Sequence, residues 1–343
     1  MKFEFEKFTK KSIFVVLKKK ARKLLFMRAL CFPGQGTQFI GMGKILSGEF
    51  SIARHTFQEA DEALGDSLCS RAMQEGDEHA LHLTRNAQPA ILAHSTAMLR
   101  VLQTQFGFEI DSVSILMGHS LGEFTAMVTA GVLSFSDALR LVRQRGECMQ
   151  QASNRYFTDR DEVPSMMALI PADFQTCQDS IVHAGLIDEV CQVANVNGPK
   201  QVVLSGGSKA VDKVSVIAKS LYKVRRAIPL KVSAPFHSQI MRGAEADFQV
   251  CINNCKWSKP AIPIISNIDG SIMHLENTIR SNALQQMSSA VRWDHCVAKA
   301  HEIGTKEYIE IGAAVLSPMI KSILKDADCT SYKESDTLFT KKT

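Results

Sequence analysis

The sequence has few of the features that mark metal sites, secreted scaffolds or repeat proteins. Its nine cysteines are scattered, and the closest two, Cys251 and Cys255, lack CxxC spacing. No cluster of histidine and cysteine has the spacing of a zinc site, so we expect no metal and no cofactor. Scattered thiols of this kind are typical of a reducing compartment. Internal repeats and low-complexity segments are also missing, which excludes solenoid architectures.

Long apolar runs are absent as well. The apolar stretch at residues 12–17 is too short to cross a membrane, and no small-residue cleavage site follows it. Residues 1–26 hold nine lysines and arginines and two glutamates, a net charge of +7, so the rest of this +5 chain carries −2. A mildly acidic body offers no surface for nucleic acid. We therefore expect neither a membrane nor a nucleic acid among the partners.

Residues 1–26 form a basic segment of their own. We expect an extension that is disordered or that precedes the true start at Met27, because residues 27–32 are the first plausible strand. We expect the protein in the cytoplasm. The alternative is a mitochondrial or plastid location, if the extension is a targeting leader.

The remaining chain alternates apolar runs with helical periodicity, which is the pattern of an α/β protein. With 343 residues, 45% of them hydrophobic, it can bury a sizeable core. The predicted strands are residues 28–32, 113–117, 166–170, 190–194, 201–205, 224–230, 261–266 and 306–311. The predicted helices are about 50–65, 87–105, 123–130, 136–151, 172–184 and 209–221.

The order of these elements predicts two subdomains. Residues 27–153 and 232–328 are expected to form a large subdomain with a parallel sheet, α/β-hydrolase-like or patatin-like. Residues 154–231 are expected to form an inserted small subdomain, whose β-α-β-β-α-β order is that of a ferredoxin-like unit. Its first part, residues 154–163, is polar and is predicted to be a linker loop. Residues 329–343 are a polar tail, which we expect to be loose.

Residues 118–122 (GHSLG) carry the strongest functional signal. They lie between a predicted strand and a predicted helix, which is the setting of a nucleophile elbow. Such a turn exposes the hydroxyl of its serine, here Ser120, and aims the N–H groups of the next helix at developing negative charge. The pattern predicts Ser120 as a nucleophile.

A nucleophilic serine needs a base, and His237 is the best candidate among ten histidines. It follows the last strand of the inserted unit, where the chain returns to the large subdomain and a cleft is expected. The neighbouring His119 points elsewhere than Ser120 at an elbow, so we predict that it only packs.

One arginine is predicted to face inward. Arg145 has apolar residues at every helical neighbour position, namely Leu141, Val142, Cys148 and Met149. A buried guanidinium requires a partner. Two interpretations remain open: a buried ion pair, or a fork that binds a substrate carboxylate through two hydrogen bonds.

From residue 28 to about residue 325 the chain resembles the malonyl-CoA:acyl carrier protein transacylases of type II fatty acid synthesis. The motifs that carry this resemblance, in chain order, are residues 32–38 (FPGQGTQ), 86–90 (NAQPA), 118–123 (GHSLGE), 141–146 (LVRQRG), 195–197 (NVN), 201–206 (QVVLSG), 233–237 (SAPFH), 266–270 (SNIDG) and 286–293 (QMSSAVRW).

The resemblance implies an acyltransferase that moves malonyl from coenzyme A to acyl carrier protein through a malonyl-serine ester. It implies Ser120 as nucleophile, His237 as base and Arg145 as the carboxylate-binding residue. The implied orienting and substrate-contacting positions are Gln35 and Leu121 (oxyanion N–H groups), Gln286 (backbone carbonyl to the histidine), Phe236 and Asn197 (substrate binding). The family also suggests a monomer, with the phosphopantetheine arm carried by the partner.

Acyl carrier proteins are acidic, so a basic docking patch is expected on this chain. The candidate residues lie in or beside the inserted unit and are Lys200, Lys209, Lys213, Lys219, Lys223, Arg225 and Arg226.

Three other functions remain open at this point. The elbow also fits a serine hydrolase, lipase-like or patatin-like, and Asp269-Gly270 resembles the Asp-Gly of patatin dyads, although it is more simply a turn. A carrier-binding module without catalysis is the second alternative. An acyltransferase that serves polyketide assembly is the third.

Overall fold

The computed structural model describes residues 27–336. Its strands are β1 (Met27–Phe32), β2 (Val113–Gly118), β3 (Pro164–Ile170), β4 (Cys191–Gly198), β5 (Gln201–Gly207), β6 (Arg226–Pro229), β7 (Ile264–Ile265), β8 (Ile272–Met273), β9 (Thr305–Ile311) and β10 (Asp328–Tyr332). Its α-helices are α1 (Lys44–Glu49), α2 (Ser51–Leu64), α3 (Met73–Glu75), α4 (Glu78–His82), α5 (Thr84–Gln105), α6 (Leu121–Thr129), α7 (Phe135–Phe157), α8 (Phe174–Ala184), α9 (Ser208–Leu221), α10 (Glu245–Asn253), α11 (Glu276–Gln285), α12 (Trp293–Glu302) and α13 (Leu316–Ile323). Leu68–Ala72 is a π-helical turn, and Ile110–Ser112 and Gln239–Ala244 are 3₁₀ turns.

The large sheet has the strand order β10-β9-β1-β2-β7-β8 and is parallel except for the pair β7–β8. Both faces of β1 are covered, because Leu30 and Phe32 belong to one apolar cluster and Ala29 and Cys31 to another. A parallel sheet needs such cover on each face. Phe32 pairs with Gly118 in the register of β1 and β2, so the loops after these two strands leave the sheet side by side.

The second sheet has the order β4-β5-β3-β6, and all of its pairs are antiparallel. Its strands and the helices α8 and α9 follow one another as β-α-β-β-α-β and enclose an apolar cluster of their own. The structure therefore confirms a mixed α/β protein with a parallel sheet and a second, antiparallel sheet. We call the two parts the large-sheet region and the small-sheet region.

The predicted linker 154–163 is wrong in its first part, because α7 continues to Phe157. The polar composition of these residues suggested a loop. The aromatic rings of Tyr156 and Phe157 nevertheless pack against the large core, and Arg155 donates to the Gly243 carbonyl at 2.6 Å. These contacts extend the helix beyond the point at which its apolar pattern fades.

The prediction of a loose polar tail at residues 329–343 is also wrong for its first part. The polar residues at 328–332 form β10, which pairs in parallel with β9 at the sheet edge. Beyond it, Glu334 is buried and accepts hydrogen bonds from the N–H groups of Gly43 (2.6 Å) and Leu46 (3.1 Å), while His94 lies 3.2 Å away. The tail is therefore part of the fold at least to residue 334, since backbone pairing and a buried carboxylate hold it there. Its last residues, 337–343, lie outside the described part.

The other predicted elements are present with shifted ends. The predicted strand 261–266 shrinks to Ile264–Ile265, whereas the predicted strand 190–194 lengthens to Cys191–Gly198. The predictions about residues 1–26 lie outside the described residues. Within 27–336, no helix combines the length and the apolarity needed to cross a membrane, and no group of three or more His, Cys, Asp or Glu side chains is placed to hold a metal ion.

Candidate active site

Ser120 lies at the turn between β2 and α6. Its φ of 51° and ψ of −106° are rare for a residue with a side chain. The glycines on either side allow the close packing of the turn. A Cβ on Gly118 would lie 2.0 Å from the Gly122 carbonyl carbon, and one on Gly122 would lie 2.0 Å from the Phe32 carbonyl oxygen. The strand-turn-helix predicted from the motif is therefore present, and Ser120 faces a cavity.

The strained turn is held by Asn267, a residue to which sequence reasoning gave no role. Its side-chain oxygen accepts from the Ser120 N–H at 2.7 Å, and its amide nitrogen donates to the Gly118 carbonyl at 2.6 Å. Asn267 is fully buried. These two bonds span the turn and offset part of its conformational cost. The only sequence signal was its place in the SNIDG motif.

The structure brings His237 to Ser120, 117 positions away in the sequence. The His237 Nε2 lies 2.8 Å from the Ser120 Oγ. The opposite ring nitrogen, Nδ1, lies 2.9 Å from the Gln286 carbonyl oxygen and 3.1 Å from that of Ser289. Carbonyl oxygens only accept, so Nδ1 carries the proton and Nε2 is left to accept from the serine hydroxyl. Backbone carbonyls thus take the orienting place that an acid has in a Ser-His-Asp triad.

The environment keeps the His237 ring neutral. Burial, together with the nearby charge of Arg145, lowers the pKa of His237 to about 3, although its hydrogen bonds to the Gln286 and Ser289 carbonyls act in the opposite direction. A neutral imidazole is the form that accepts a proton. His237 is therefore in the base form throughout the physiological pH range.

We expect the His237 ring to remain unprotonated between pH 8 and pH 5. A histidine with a depressed pKa acquires its proton only at lower pH, so its ring signals stay constant over this range. The measurement is an NMR titration of histidine-labelled protein, with the His237→Gln variant to assign the signal. A midpoint near pH 6.5 for that signal contradicts the expected burial.

Arg145 is buried, as its helical neighbours predicted, and is only 2% exposed. Its Nη1 donates to the Gln88 side-chain oxygen at 2.8 Å and its Nη2 to that of Gln286 at 2.9 Å, while its Nε has no partner. Within the described residues, no carboxylate lies within ion-pair distance of the guanidinium. Burial lowers the pKa of Arg145 to about 10, which still leaves it charged, and the charge of Glu123 acts in the opposite direction.

The ion-pair interpretation of Arg145 is therefore not supported, because both partners are neutral amides. A buried cation with neutral partners and an unpaired N–H group retains the capacity to bind an anion. Gln88, the second partner, belongs to the NAQPA motif and was not predicted as a site residue.

The two residues expected to donate to an oxyanion both line the cavity. Leu121 is the first residue of α6, so its N–H has no intrahelical acceptor, whereas the N–H of Gly122 is bound by the His119 carbonyl. Gln35 lies in the loop after β1, and its side chain donates to the Thr84 hydroxyl at 3.3 Å. That loop is tied to the elbow by the bond of 3.0 Å from the His119 N–H to the Phe32 carbonyl.

A cavity of about 370 Å³ connects these groups. The large-sheet region contributes the reactive pair and Arg145. The small-sheet region contributes Met166 from β3, Asn195 from β4 and Pro229 from β6. Phe236 also lines the cavity beside the histidine and is 7% exposed. The site is therefore a cleft between the two sheet regions, as the position of His237 after the inserted unit predicted.

Two polar side chains near the Ser120 turn contact each other. The Asn197 side-chain oxygen lies 2.9 Å from the His119 Nε2 and its amide donates to Gln201 at 3.2 Å, and its role in substrate binding stays a prediction. His119 does more than pack, because it lines the cavity as well as lying against the Trp293 ring.

Comparisons with known proteins agree with this geometry. Residues 30–333 match the family model of the acyl transferase domain. The chain is 37% identical over 318 residues to the malonyl CoA-acyl carrier protein transacylase of Bacillus subtilis. The aligned region covers 90% of this chain and 94% of that protein.

Solved structures with similar folds include an acyl carrier protein S-malonyltransferase from Vibrio cholerae, with a TM-score of 0.81, 34% identity and coverage of 89% of this chain and 96% of that one. Another is a malonyl-transacylase in complex with a type II polyketide synthase acyl-carrier protein, with a TM-score of 0.84, 33% identity and coverage of 92% and 98%. The chain therefore belongs to the acyl transferase family and, within it, to the malonyl CoA-acyl carrier protein transacylases.

Proposed function

We propose that this protein transfers the malonyl group of malonyl-CoA to the phosphopantetheine thiol of acyl carrier protein, and so supplies extender units for fatty acid biosynthesis. The observation that carries the proposal is the pairing, in one cavity, of a Ser120–His237 contact of 2.8 Å with the buried Arg145, which has no ion-pair partner among the described residues. An activated serine beside a cation fits an acyl group that carries its own carboxylate.

The first half-reaction forms the acyl-enzyme. His237 accepts the Ser120 proton at Nε2 as the Oγ attacks the thioester carbon. The N–H groups of Leu121 and Gln35 are assigned to the oxyanion of the tetrahedral intermediate. Collapse of the intermediate breaks the C–S bond, and the coenzyme A thiol leaves with the proton that His237 held.

The second half-reaction reverses these roles. His237 takes the proton of the phosphopantetheine thiol, whose sulfur attacks the malonyl ester of Ser120. The ester C–O bond breaks and the proton returns to the serine oxygen. Because the acyl donor and the acyl acceptor occupy the site in turn, initial-velocity plots against malonyl-CoA and holo-acyl carrier protein are expected to give parallel lines. Intersecting lines contradict an acyl-enzyme.

Arg145 is assigned to the substrate carboxylate. Its present acceptors, the side-chain oxygens of Gln88 and Gln286, are uncharged, and its Nε has no partner. A malonyl carboxylate offers two anionic oxygens to this fork. An acetyl group leaves the buried cation without an anion, and this difference favours malonyl.

Phe236 is expected to limit the size of the group at the α-carbon of the acyl chain. It lies directly before the base and lines the cavity. We expect kcat/KM for malonyl-CoA to exceed that for methylmalonyl-CoA by about 10–200-fold, the range for one methyl group in a tight pocket. Measurement of both thioesters, with Phe236→Ala as the variant that narrows the ratio, tests this. Similar efficiencies for both thioesters in the wild type would contradict it.

The carrier is proposed to dock beside β6. Lys223, Arg225 and Arg226 are exposed, and β6 runs from Arg226 to the cavity rim at Pro229, a distance of about 10 Å in an extended strand. Residues 229–232 continue along that rim. A basic surface here faces any acidic partner that inserts its arm into the cleft.

Reversing the charge at Lys223, Arg225 and Arg226 together is expected to raise the KM for holo-acyl carrier protein by about tenfold at low ionic strength, with kcat and the KM for malonyl-CoA nearly unchanged. Lys306→Glu is the matched control, because this exposed residue lies at the amino-terminal end of β9, away from the cleft. An unchanged KM for the carrier excludes this docking surface.

We also propose a fold class for each of the two sheet regions. The parallel sheet with an elbow after β2 supports an α/β-hydrolase-like or patatin-like large subdomain, and the order β4-β5-β3-β6 supports a ferredoxin-like small one. We propose a monomer in the cytoplasm, and the nine free cysteines support a reducing compartment.

The hydrolase alternative has little support in the geometry. The Asp269 carboxylate accepts from the Ser271 N–H at 2.9 Å within a turn, whereas the partner of Ser120 is His237. A Ser-Asp dyad would need the Asp269 carboxylate, and not His237, in contact with the Ser120 hydroxyl. Release of free malonate at the rate of transfer would favour the hydrolase.

A further inference from the structure

Glu123 is a buried carboxylate that the mechanism above does not use. It lies three residues after Ser120, on the first turn of α6, and is fully buried. Its oxygens accept from the Asn267 N–H at 3.2 Å, from the Asn282 side chain at 3.0 Å and from the Gln286 side chain. A buried carboxylate is costly unless donors surround it, and amide N–H groups of Asn267, Asn282 and Gln286 do so here.

Gln286 joins this carboxylate to the reactive groups. Its side-chain nitrogen donates to Glu123 and, at 3.0 Å, to the Ser120 carbonyl. Its side-chain oxygen accepts from the Arg145 Nη2 at 2.9 Å, and its backbone oxygen accepts from the His237 Nδ1. One fully buried residue therefore contacts the nucleophile, the base and the cation.

The direction in which the Gln286 amide faces decides whether these contacts are favourable. The two ends of a primary amide are similar in shape but opposite in function, since one only donates and the other only accepts. If the amide were turned over, its NH₂ group would face the Arg145 guanidinium, which also only donates. Its oxygen would then face Glu123 and the Ser120 carbonyl, which only accept.

We propose that Glu123 is a positioning residue, whose carboxylate fixes the direction of the Gln286 amide and thereby holds Arg145 in place for the substrate carboxylate. An ionised carboxylate accepts and cannot donate, so it admits only the NH₂ end of Gln286. The Gln286 oxygen is then directed at Arg145. This inference rests on the proposed function, because the placement of Arg145 affects only a substrate that carries a carboxylate, as malonyl does.

The isosteric variant Glu123→Gln tests the role. A glutamine at this position presents an amide that accepts or donates, so Gln286 loses the acceptor-only partner and only Arg145 and the Ser120 carbonyl still favour its direction. At pH 8, above the pKa of about 7 to which burial raises Glu123, we expect kcat/KM for malonyl-CoA to fall by about tenfold, a typical coupling for residues in one network. We expect kcat/KM for acetyl-CoA, which has no carboxylate to place, to change by less than about threefold.

A double-mutant cycle separates positioning from a general loss of structure. In an Arg145→Ala background, Glu123→Gln is expected to lower the malonyl-CoA efficiency by less than about threefold further, because the residue through which it acts is gone. Multiplicative losses in the double variant, or equal losses for malonyl-CoA and acetyl-CoA in the single variant, overturn the proposal.

Two further variants serve as a control and as a substitute for Glu123→Gln. Glu310→Gln is the matched control, because Glu310 is another buried carboxylate, 1% exposed, that accepts from the N–H groups at the start of α13. We expect it to lower the melting temperature without changing the malonyl/acetyl ratio. If Glu123→Gln does not fold, Gln286→Leu, which keeps the backbone carbonyl for His237, must reduce that ratio by itself. An unchanged ratio overturns the proposal.

Failure of the proposed function gives a different result. A wild-type protein that does not prefer malonyl-CoA over acetyl-CoA contradicts the proposed function, before any variant is compared. A wild type with that preference, together with Glu123 and Gln286 variants that keep it in full, contradicts only the role of Glu123.

Discussion

Replacement of Ser120 by alanine is expected to lower malonyl transfer by at least about 10⁴-fold, to the rate that binding and oxyanion contacts alone support. The hydroxyl is the group that His237 contacts at 2.8 Å, so the variant leaves the base without its nucleophile. Loss of the hydroxyl also removes the site of the covalent intermediate. Release of coenzyme A from malonyl-CoA in the presence of holo-acyl carrier protein measures the effect.

Variants of Ser120 and His237 together test whether the two residues act as a unit. His237→Ala is expected to lower the rate of malonyl transfer nearly as much as Ser120→Ala. The double variant is expected to lower it no further, because the effects of residues that act as a unit are not additive. Ser180→Ala is the matched control, since this buried serine only donates to the Thr176 carbonyl within α8. Substantial transfer by Ser120→Ala would remove the acyl-enzyme from the mechanism.

Arg145→Ala is expected to remove most of the preference for a dicarboxylic acyl group. Truncation of one partner of a buried charged contact costs roughly 2–5 kcal/mol, so kcat/KM for malonyl-CoA is expected to fall by about 30- to 5,000-fold. The efficiency for acetyl-CoA is expected to stay within about threefold, because no anion of that group meets the cation. The ratio of the two efficiencies is the measured quantity.

Two comparisons make the Arg145 result specific. Arg140→Ala, on the exposed face of the same helix and paired with Asp137 at 2.8 Å, is expected to leave the ratio unchanged. Arg145→Lys is expected to recover only part of the preference, since an ammonium cannot give the forked contact of a guanidinium. An equal fall for both thioesters would show that Arg145 serves the fold and not the substrate.

The sequence predicted those parts of the site that depend on local pattern. Ser120 follows from glycines at fixed spacing between a strand and a helix, and the turn is as sharp as the pattern requires. Arg145 follows from helical periodicity, because its neighbours three and four positions away are apolar and α7 is regular there. His237 was a weaker prediction from its place in the chain, to which the family resemblance added.

The remainder depends on contacts between distant segments, which no local pattern specifies. Glu123 and Asn267 meet although they are 144 positions apart, and Asn267 and Gln286 meet Ser120 across a similar separation. Side-chain amides give no periodic signal, so their roles appear only when the strands and helices are assembled. The network behind the elbow was therefore not predictable beyond its motifs.

The strand β10, in the polar tail, is likewise an element that local pattern did not predict. The residues of β10 are polar enough to be taken for a loop, yet they pair with β9 at the sheet edge. An edge strand needs little apolar character, since one side of it is open to solvent. The contact between Asn197 and His119 is likewise one that no local pattern indicated.

The central claim is a malonyl ester on Ser120 that acyl carrier protein discharges, and the most direct test is the intact mass of the protein after incubation with malonyl-CoA. We expect a gain of about 86 Da, the mass of a malonyl group that replaces a proton, on the wild type and not on Ser120→Ala. Addition of holo-acyl carrier protein is expected to remove the adduct and to place it on the carrier. The absence of an adduct, or an adduct that water alone removes as fast as the carrier does, would contradict the proposed transfer.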